Sequence, residues 1–198
     1  METKITKGVY EMPAAAVYEC SGLPDIYSNG RLKRESFVGG GNIEESLAEN
    51  LGKGFVKTIL PYAMQDNYDR IKRPRKFISV TLENDYLKAV ILPEVGGRVW
   101  SLYDKKRRRE LLFKNPVFQP CNFGLRGAWT AGGIEFNIGM MGHCVHTSDT
   151  VFCTLNKYKD GRETVKIYEY ERIRGVAWSI EFYFGTSRID DFRFYIYG

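Results

Sequence analysis

The residues with the clearest chemical content lie between Arg126 and His146, in the stretch RGAWTAGGIEFNIGMMGHCVH. Laid out as a strand, it puts Ile134, Phe136 and Ile138 on one face, which suits a core. Gly133, Glu135 and Asn137 fall on the other face, in phase with Trp129 and Ala131. An indole, a carboxylate and an amide separated by glycine match a pyranose, which offers an apolar C–H face and a rim of hydroxyls. Trp129 can stack on that face, Glu135 can accept two hydroxyl protons, Asn137 can donate and accept, and Arg126 can add donors. Gly132 and Gly133 mark a bulge or a place where another group approaches the backbone. The competing structural reading packs Trp129 into the core and pairs Glu135 with Arg126 to hold a loop.

His143 and His146 are the only two histidines and follow this stretch directly. Residues three apart on a strand point to opposite faces, so the H-C-x-H spacing is wrong for a metal, and no second ligand pair occurs elsewhere. We therefore expect no metal and no cofactor. A histidine titrates near working pH and suits a general acid or base; the bland alternative is a loop histidine with a hydrogen-bonded ring. Glu135 and His143 are the candidate catalytic residues, and Arg126, Trp129, Asn137 and His146 the candidate substrate-binding residues.

The elements that must position these residues read mostly as strands. The chain has 198 residues, room for one ordinary domain, with 13 Tyr, 12 Phe and 20 Gly favouring strands and turns. Residues 1 to about 75 read as an irregular arm with short strands and one helix, Asn42–Leu51, whose Ile43, Leu47 and Leu51 share a face. From Arg75 onward the period is two. Strands are expected over Phe77–Leu82, Leu87–Leu92 and Arg98–Tyr103, with a charged turn over Asp104–Glu110 and short extended pieces at Leu111–Lys114 and Ile134–Ile138. Val151–Tyr158, Thr164–Ile173 and Val176–Phe184, joined by turns at Asp160-Gly161 and Arg174-Gly175, read as an antiparallel meander. Phe192, Phe194 and Ile196 alternate as a further strand.

Charge and cysteine usage narrow the partners. A net charge of +5 permits nucleic acid without arguing for it. Two basic clusters, Arg70–Lys76 and Lys105–Arg109, would have to share a face to bind it; a solvated hairpin tip explains the second. Cys20, Cys121, Cys144 and Cys153 show no paired spacing and read as free thiols of a reducing compartment, hence a cytoplasmic expectation. The N-terminus lacks an apolar signal core, and no apolar run is long enough for a membrane helix.

The segment LENDYLKAVILPEVGGRVWSLYDKKRRRELLFKNP, Leu82–Pro116, resembles the opening strands of galactose-mutarotase-like domains. Together with GAWTAGGIEFN, Gly127–Asn137, it is most similar to an uncharacterised bacterial domain of that superfamily that commonly precedes tetratricopeptide repeats. The resemblance runs from about Pro61 to Phe184. It implies an all-β fold, a twisted antiparallel β-sandwich with a carbohydrate site on its concave face, over residues 76–198, after the arm of residues 1–75. The sandwich is expected to be incomplete at this length, with a C-terminal region or a tetratricopeptide-repeat partner supplying the rest. The aldose epimerases use a carboxylate base from later in the domain, and His143 and His146 do not reproduce their two-histidine pattern. The expected function is binding of a mono- or oligosaccharide. The alternatives are an aldose 1-epimerase-like or glycan-processing enzyme, and a non-catalytic module that self-associates through an open sheet edge near Phe192–Tyr197.

Overall fold

In the computed structural model, residues 3–18, 59–138, 143–185 and 192–197 are described. The Asn42–Leu51 helix and Cys20 lie outside them. Among the described residues eleven strands follow in chain order: β1 Lys4–Ala14, β2 Arg73–Glu83, β3 Leu87–Leu92, β4 Arg98–Asp104, β5 Arg109–Glu110, β6 Cys121–Gly124, β7 Gly127–Trp129, β8 Phe152–Lys157, β9 Glu163–Glu171, β10 Val176–Phe184 and β11 Phe192–Tyr197. They form a five-stranded sheet, β1-β2-β3-β4-β5, a four-stranded sheet, β11-β10-β9-β8, and the small hairpin β6-β7. The named strand pairs are antiparallel, and the fold is all-β with two facing sheets.

The facing sheets bury one apolar layer between them. Val80 and Leu82 of β2, Ala89 and Ile91 of β3, Val165 and Ile167 of β9, and Trp178, Ile180 and Phe182 of β10 meet there with Phe136. Val90 and Leu92 point the other way and join Met12, Phe77, Trp100 and Phe118 in a second cluster on the far face of the five-stranded sheet. Burial on both faces explains why Leu87–Leu92 is an almost unbroken apolar run instead of an alternating one.

Three expectations need correction, and one further element was unforeseen. Residues 4–14, read as part of an irregular arm, form an eleven-residue strand paired with β2 from Lys4↔Glu83 to Ala14↔Arg73. The sequence of β1 is polar and mostly exposed, so it lacks the alternating apolar signal, and its partner lies far along the chain. Leu111–Lys114 adds no strand; the ladder beside β4 consists of Arg109–Glu110 alone. Ile134–Ile138 makes only one bridge, Val99↔Ile134, although Ile134, Phe136 and Ile138 do all pack toward the core between the sheets. The hairpin β6-β7 was not anticipated.

The basic clusters sit at opposite ends of one sheet. Arg73 opens β2, whereas the Lys105–Arg108 turn follows Asp104, across from Leu87 and next to the far end of β2. Ten residues of extended chain separate those ends, about 33 Å. Arg73 pairs with Asp69 at 2.9 Å, Lys105 with Glu83 at 2.6 Å and Arg107 with Asp104 at 2.8 Å.

Two glycines hold close approaches that shape the site. Gly96, at φ 64°, closes the Pro93–Val95 turn, and its amide donates to the Asp149 carbonyl at 2.8 Å; a Cβ there would strike the His146 carbonyl. Gly133, at φ 68°, lies against β4, where a Cβ would strike the Val99 carbonyl. Gly133→Ala is therefore expected to destabilise the fold by about 3 kcal/mol, through both the left-handed backbone and the clash. Urea denaturation checks this, and the Gly8→Ala control, at an ordinary backbone conformation where a Cβ would meet only Ser79 Oγ at 3.7 Å, should change far less.

Candidate functional site

Arg98 opens β4 immediately after the Gly96-Gly97 turn, and its side chain is 3% exposed. A guanidinium at that depth is costly unless it is paired and hydrogen-bonded, and here Nε has no partner among the described residues. Its terminal nitrogens donate to the carbonyls of Thr130 and Gly132, each at 2.8 Å, and to Thr147 Oγ1 at 3.0 Å. Glu135 lies 3.5 Å away as counter-ion. Burial lowers the Arg98 pKa, and the Glu135 carboxylate works against that shift.

Glu135 is the hub of the cluster. Its Oε2 accepts from Trp129 Nε1 at 2.8 Å and bonds His143 Nδ1 at 2.9 Å, besides facing Arg98. Its Oε1 is buried and has no hydrogen-bond partner among the described residues. A carboxylate oxygen accepts, so His143 Nδ1 is written as the donor of that bond, and Nε2 lies on the other side of the ring. The Trp129 and His143 rings sit 4.9 Å apart, tilted by 38°. Phe123, 71% exposed on β6, meets Trp129 edge-on at 6.0 Å.

A second cluster shares the same loop. Arg126 donates through Nε to the Ala63 carbonyl at 2.8 Å and pairs with Asp149, whose other oxygen accepts from Gln65 Nε2. His146 is buried, with Nε2 3.1 Å from the Tyr62 hydroxyl. That hydroxyl accepts the Arg172 amide at 2.9 Å, and Arg126 lies over the Tyr62 ring at 5.2 Å. Burial lowers the His146 pKa, and Asp149 and Glu169 counteract it. Cys144, next to it, is pushed up to about 11 by burial, which makes it an unreactive thiol.

Residues 55–192 match the family model described as "Domain of unknown function (DUF5107)". The chain belongs to that family. It is also similar to a TPR-domain containing protein from Parabacteroides distasonis ATCC 8503, at 21% identity and a TM-score of 0.68. The alignment covers 94% of this chain and 27% of that one, so the chain spans about a quarter of that protein, and the likeness is one of fold. The expectation of an uncharacterised domain akin to proteins with TPR repeats is met to that extent.

In this DUF5107 chain the six residues singled out from sequence divide. Trp129, Glu135 and His143 converge; Arg126 and His146 belong to the Tyr62–Asp149 cluster; Asn137 is exposed and joins neither hydrogen-bonded group among the described residues. The ion-pair partner of Glu135 is Arg98, not Arg126. Arg98, Tyr62, Thr147, Asp149 and Phe123 were missed. For Arg98 a signal existed: a charge opening a strand whose next two residues are Val99 and Trp100, right after a Gly-Gly turn. Among the described residues no three His, Cys, Asp or Glu side chains are grouped to hold a metal, and no helix is long and apolar enough to cross a membrane.

Two measurements probe this arrangement. Arg98→Met strands a largely buried carboxylate and should cost about 3–5 kcal/mol in urea denaturation, whereas Lys106→Met on the exposed turn should stay within about 0.5 kcal/mol. For His146 the native pKa lies below its ordinary 6.5, so the unfolded chain binds the proton first. Its contribution is complete above that value and is lost as the pH falls through it toward the native pKa. His146→Gln should therefore flatten the loss of stability between about pH 7.5 and about pH 5.5.

Proposed function

We propose that this domain binds a saccharide, as galactose-mutarotase-like domains do, at the surface formed by Trp129, His143 and Phe123. The observation that carries the reading is the common hydrogen-bond acceptor of Trp129 and His143, Glu135 Oε2, which holds an indole and an imidazole side by side next to an exposed phenyl ring. Rigid rings with flat faces suit the C–H face of a sugar, and His143 Nε2 supplies a polar contact at the rim. Glu135 then acts mainly by orienting those rings, since one of its oxygens already accepts from two donors and faces the Arg98 guanidinium. The solved TPR-domain relative supports a setting in which such a domain works beside helical repeats.

A thermal-shift series against mono- and oligosaccharides tests the reading, because a ligand held only by the native state raises the melting temperature. At least one sugar should raise it, and Trp129→Ala should remove that rise while the far-ultraviolet spectrum stays unchanged. A flat response across the panel would sink the proposal.

The Glu135–His143 hydrogen bond favours a second reading, proton transfer at an anomeric centre. Mutarotation needs a base on the anomeric hydroxyl and an acid on the ring oxygen, both within hydrogen-bond reach of one sugar. Glycoside hydrolysis would need two carboxylates flanking the bond, and Glu135 is the one carboxylate in this cluster among the described residues. Polarimetry on fresh α-glucose and α-galactose separates catalyst from binder. Catalysed interconversion that Glu135→Gln abolishes supports the enzyme; rates equal to buffer leave a binding domain.

A further inference from the structure

Among the described residues, four strands end the two main sheets: β1 and β5 on one, β8 and β11 on the other. Exposed edges invite pairing with another chain unless charge, proline or brevity blunts them. β1 carries Lys4, Lys7, Glu11 and Pro13, and β5 is two residues long. β8 ends in Asn156 and Lys157, the latter paired with Glu163 at 3.1 Å. β11, FRFYIY, has one charge and neither proline nor glycine.

The inward side of β11 is unfinished. Phe192, Phe194 and Ile196 continue the apolar layer between the sheets, with Phe194 5.3 Å from Phe136 and Phe192 stacked on Phe182 at 6.1 Å. Yet Phe194 is 41% and Ile196 55% exposed. On the other side, Tyr195 and Tyr197 stand half exposed, and Tyr197 walls a trough of about 760 Å3 that runs past Ser179 to Tyr168 and Phe152.

We infer that a second copy of this chain docks on β11, antiparallel and strand to strand, across a two-fold axis at Phe194. Side chains directly opposite in an antiparallel pair share a face, so the register decides which faces join. Placing the axis at Phe194 sets it against its own symmetry mate, Phe192 against Ile196 of the second copy, and Arg193 against Tyr195 of the second copy. All three inward apolar residues then meet apolar residues, and the only charge of the strand faces an aromatic ring instead of another Arg193. A shift of one residue would set inward phenylalanines against outward tyrosines. An axis at Tyr195 would leave Phe192 outside the pairing. The result is one continuous eight-stranded sheet over a joined core, and it does not depend on the sugar reading.

Sedimentation velocity on the full chain tests the inference. Wild type should move from monomer toward dimer as concentration rises about tenfold, and Ile196→Lys, which plants a charge on the joined face, should remain monomeric with an unchanged melting temperature. The register has its own readout. Phe194→Cys places two thiols across the axis at a separation a disulfide can bridge, about 4.5–5.5 Å between Cα atoms. Under mild oxidation it should give a covalent dimer beyond the wild-type background, and Tyr195→Cys should not. A wild type that stays monomeric at every concentration, a dimer indifferent to Ile196→Lys, or Tyr195→Cys cross-linking ahead of Phe194→Cys would each overturn it. None of these outcomes bears on sugar binding at Trp129.

Discussion

A guanidinium that is 3% exposed sets the terms for the rest of this structure. Leaving such a charge unpaired would cost several kcal/mol, so the segments that supply its acceptors cannot drift. Arg98 on β4 reaches the carbonyls of Thr130 and Gly132, the Thr147 hydroxyl and the Glu135 carboxylate. These come from two stretches, 130–135 and 143–147, that have almost no ladder of their own. One side chain thus does for them what a sheet does for the flanking strands. The Trp129 and His143 rings inherit their fixed positions from it at one remove, through Glu135.

The loop that carries His143 is pinned from three directions. Thr147 meets Arg98, Asp149 meets Arg126 and the Gly96 amide, and His146 packs against Tyr62 at 5.4 Å and Trp178 at 6.0 Å. The last of these reaches into the layer between the sheets, so the loop rests directly on the core. Close backbone approach at Gly96 and Gly133 makes this possible, since a side chain at either would push the loop or the 130–135 segment away from β4. The glycines and the buried charge therefore serve the same end: bringing irregular chain tightly against a regular sheet.

The sandwich strands were legible because each is a short, largely buried apolar run closed by turn residues. Leu87–Leu92 and Val176–Phe184 match the observed strands end for end, and the meander joins at the turns read from Asp160-Gly161 and Arg174-Gly175. Gly161 and Gly175 both take positive φ there. β1 was not legible, because most of its side chains face solvent and its stability comes from a partner some seventy positions away. The site was half legible for the same reason. Residue types and phase picked out Trp129, Glu135 and His143, whereas the competing structural reading paired Glu135 with Arg126, the nearest arginine in the chain. Proximity along the chain is a poor guide once a sheet intervenes: the Val99↔Ile134 bridge brings Arg98 to Glu135, while Arg126 turns toward Ala63 and Asp149.

That reassignment changes what the carboxylate does. A glutamate awaiting two sugar hydroxyls would need both oxygens open to solvent, but this one is 15% exposed, with Oε2 shared among an indole N–H, an imidazole N–H and a guanidinium. Charge-assisted bonds of this kind are short and directional, and they cost less to keep than to rearrange when a ligand arrives. On the proposed saccharide reading, specificity resides in the faces and outer edges of the rings, which need not move, while the charge that fixes them stays behind the surface. Such preorganisation lowers the ordering cost of binding, because the aromatic side chains have already surrendered their rotamer freedom in the folded protein.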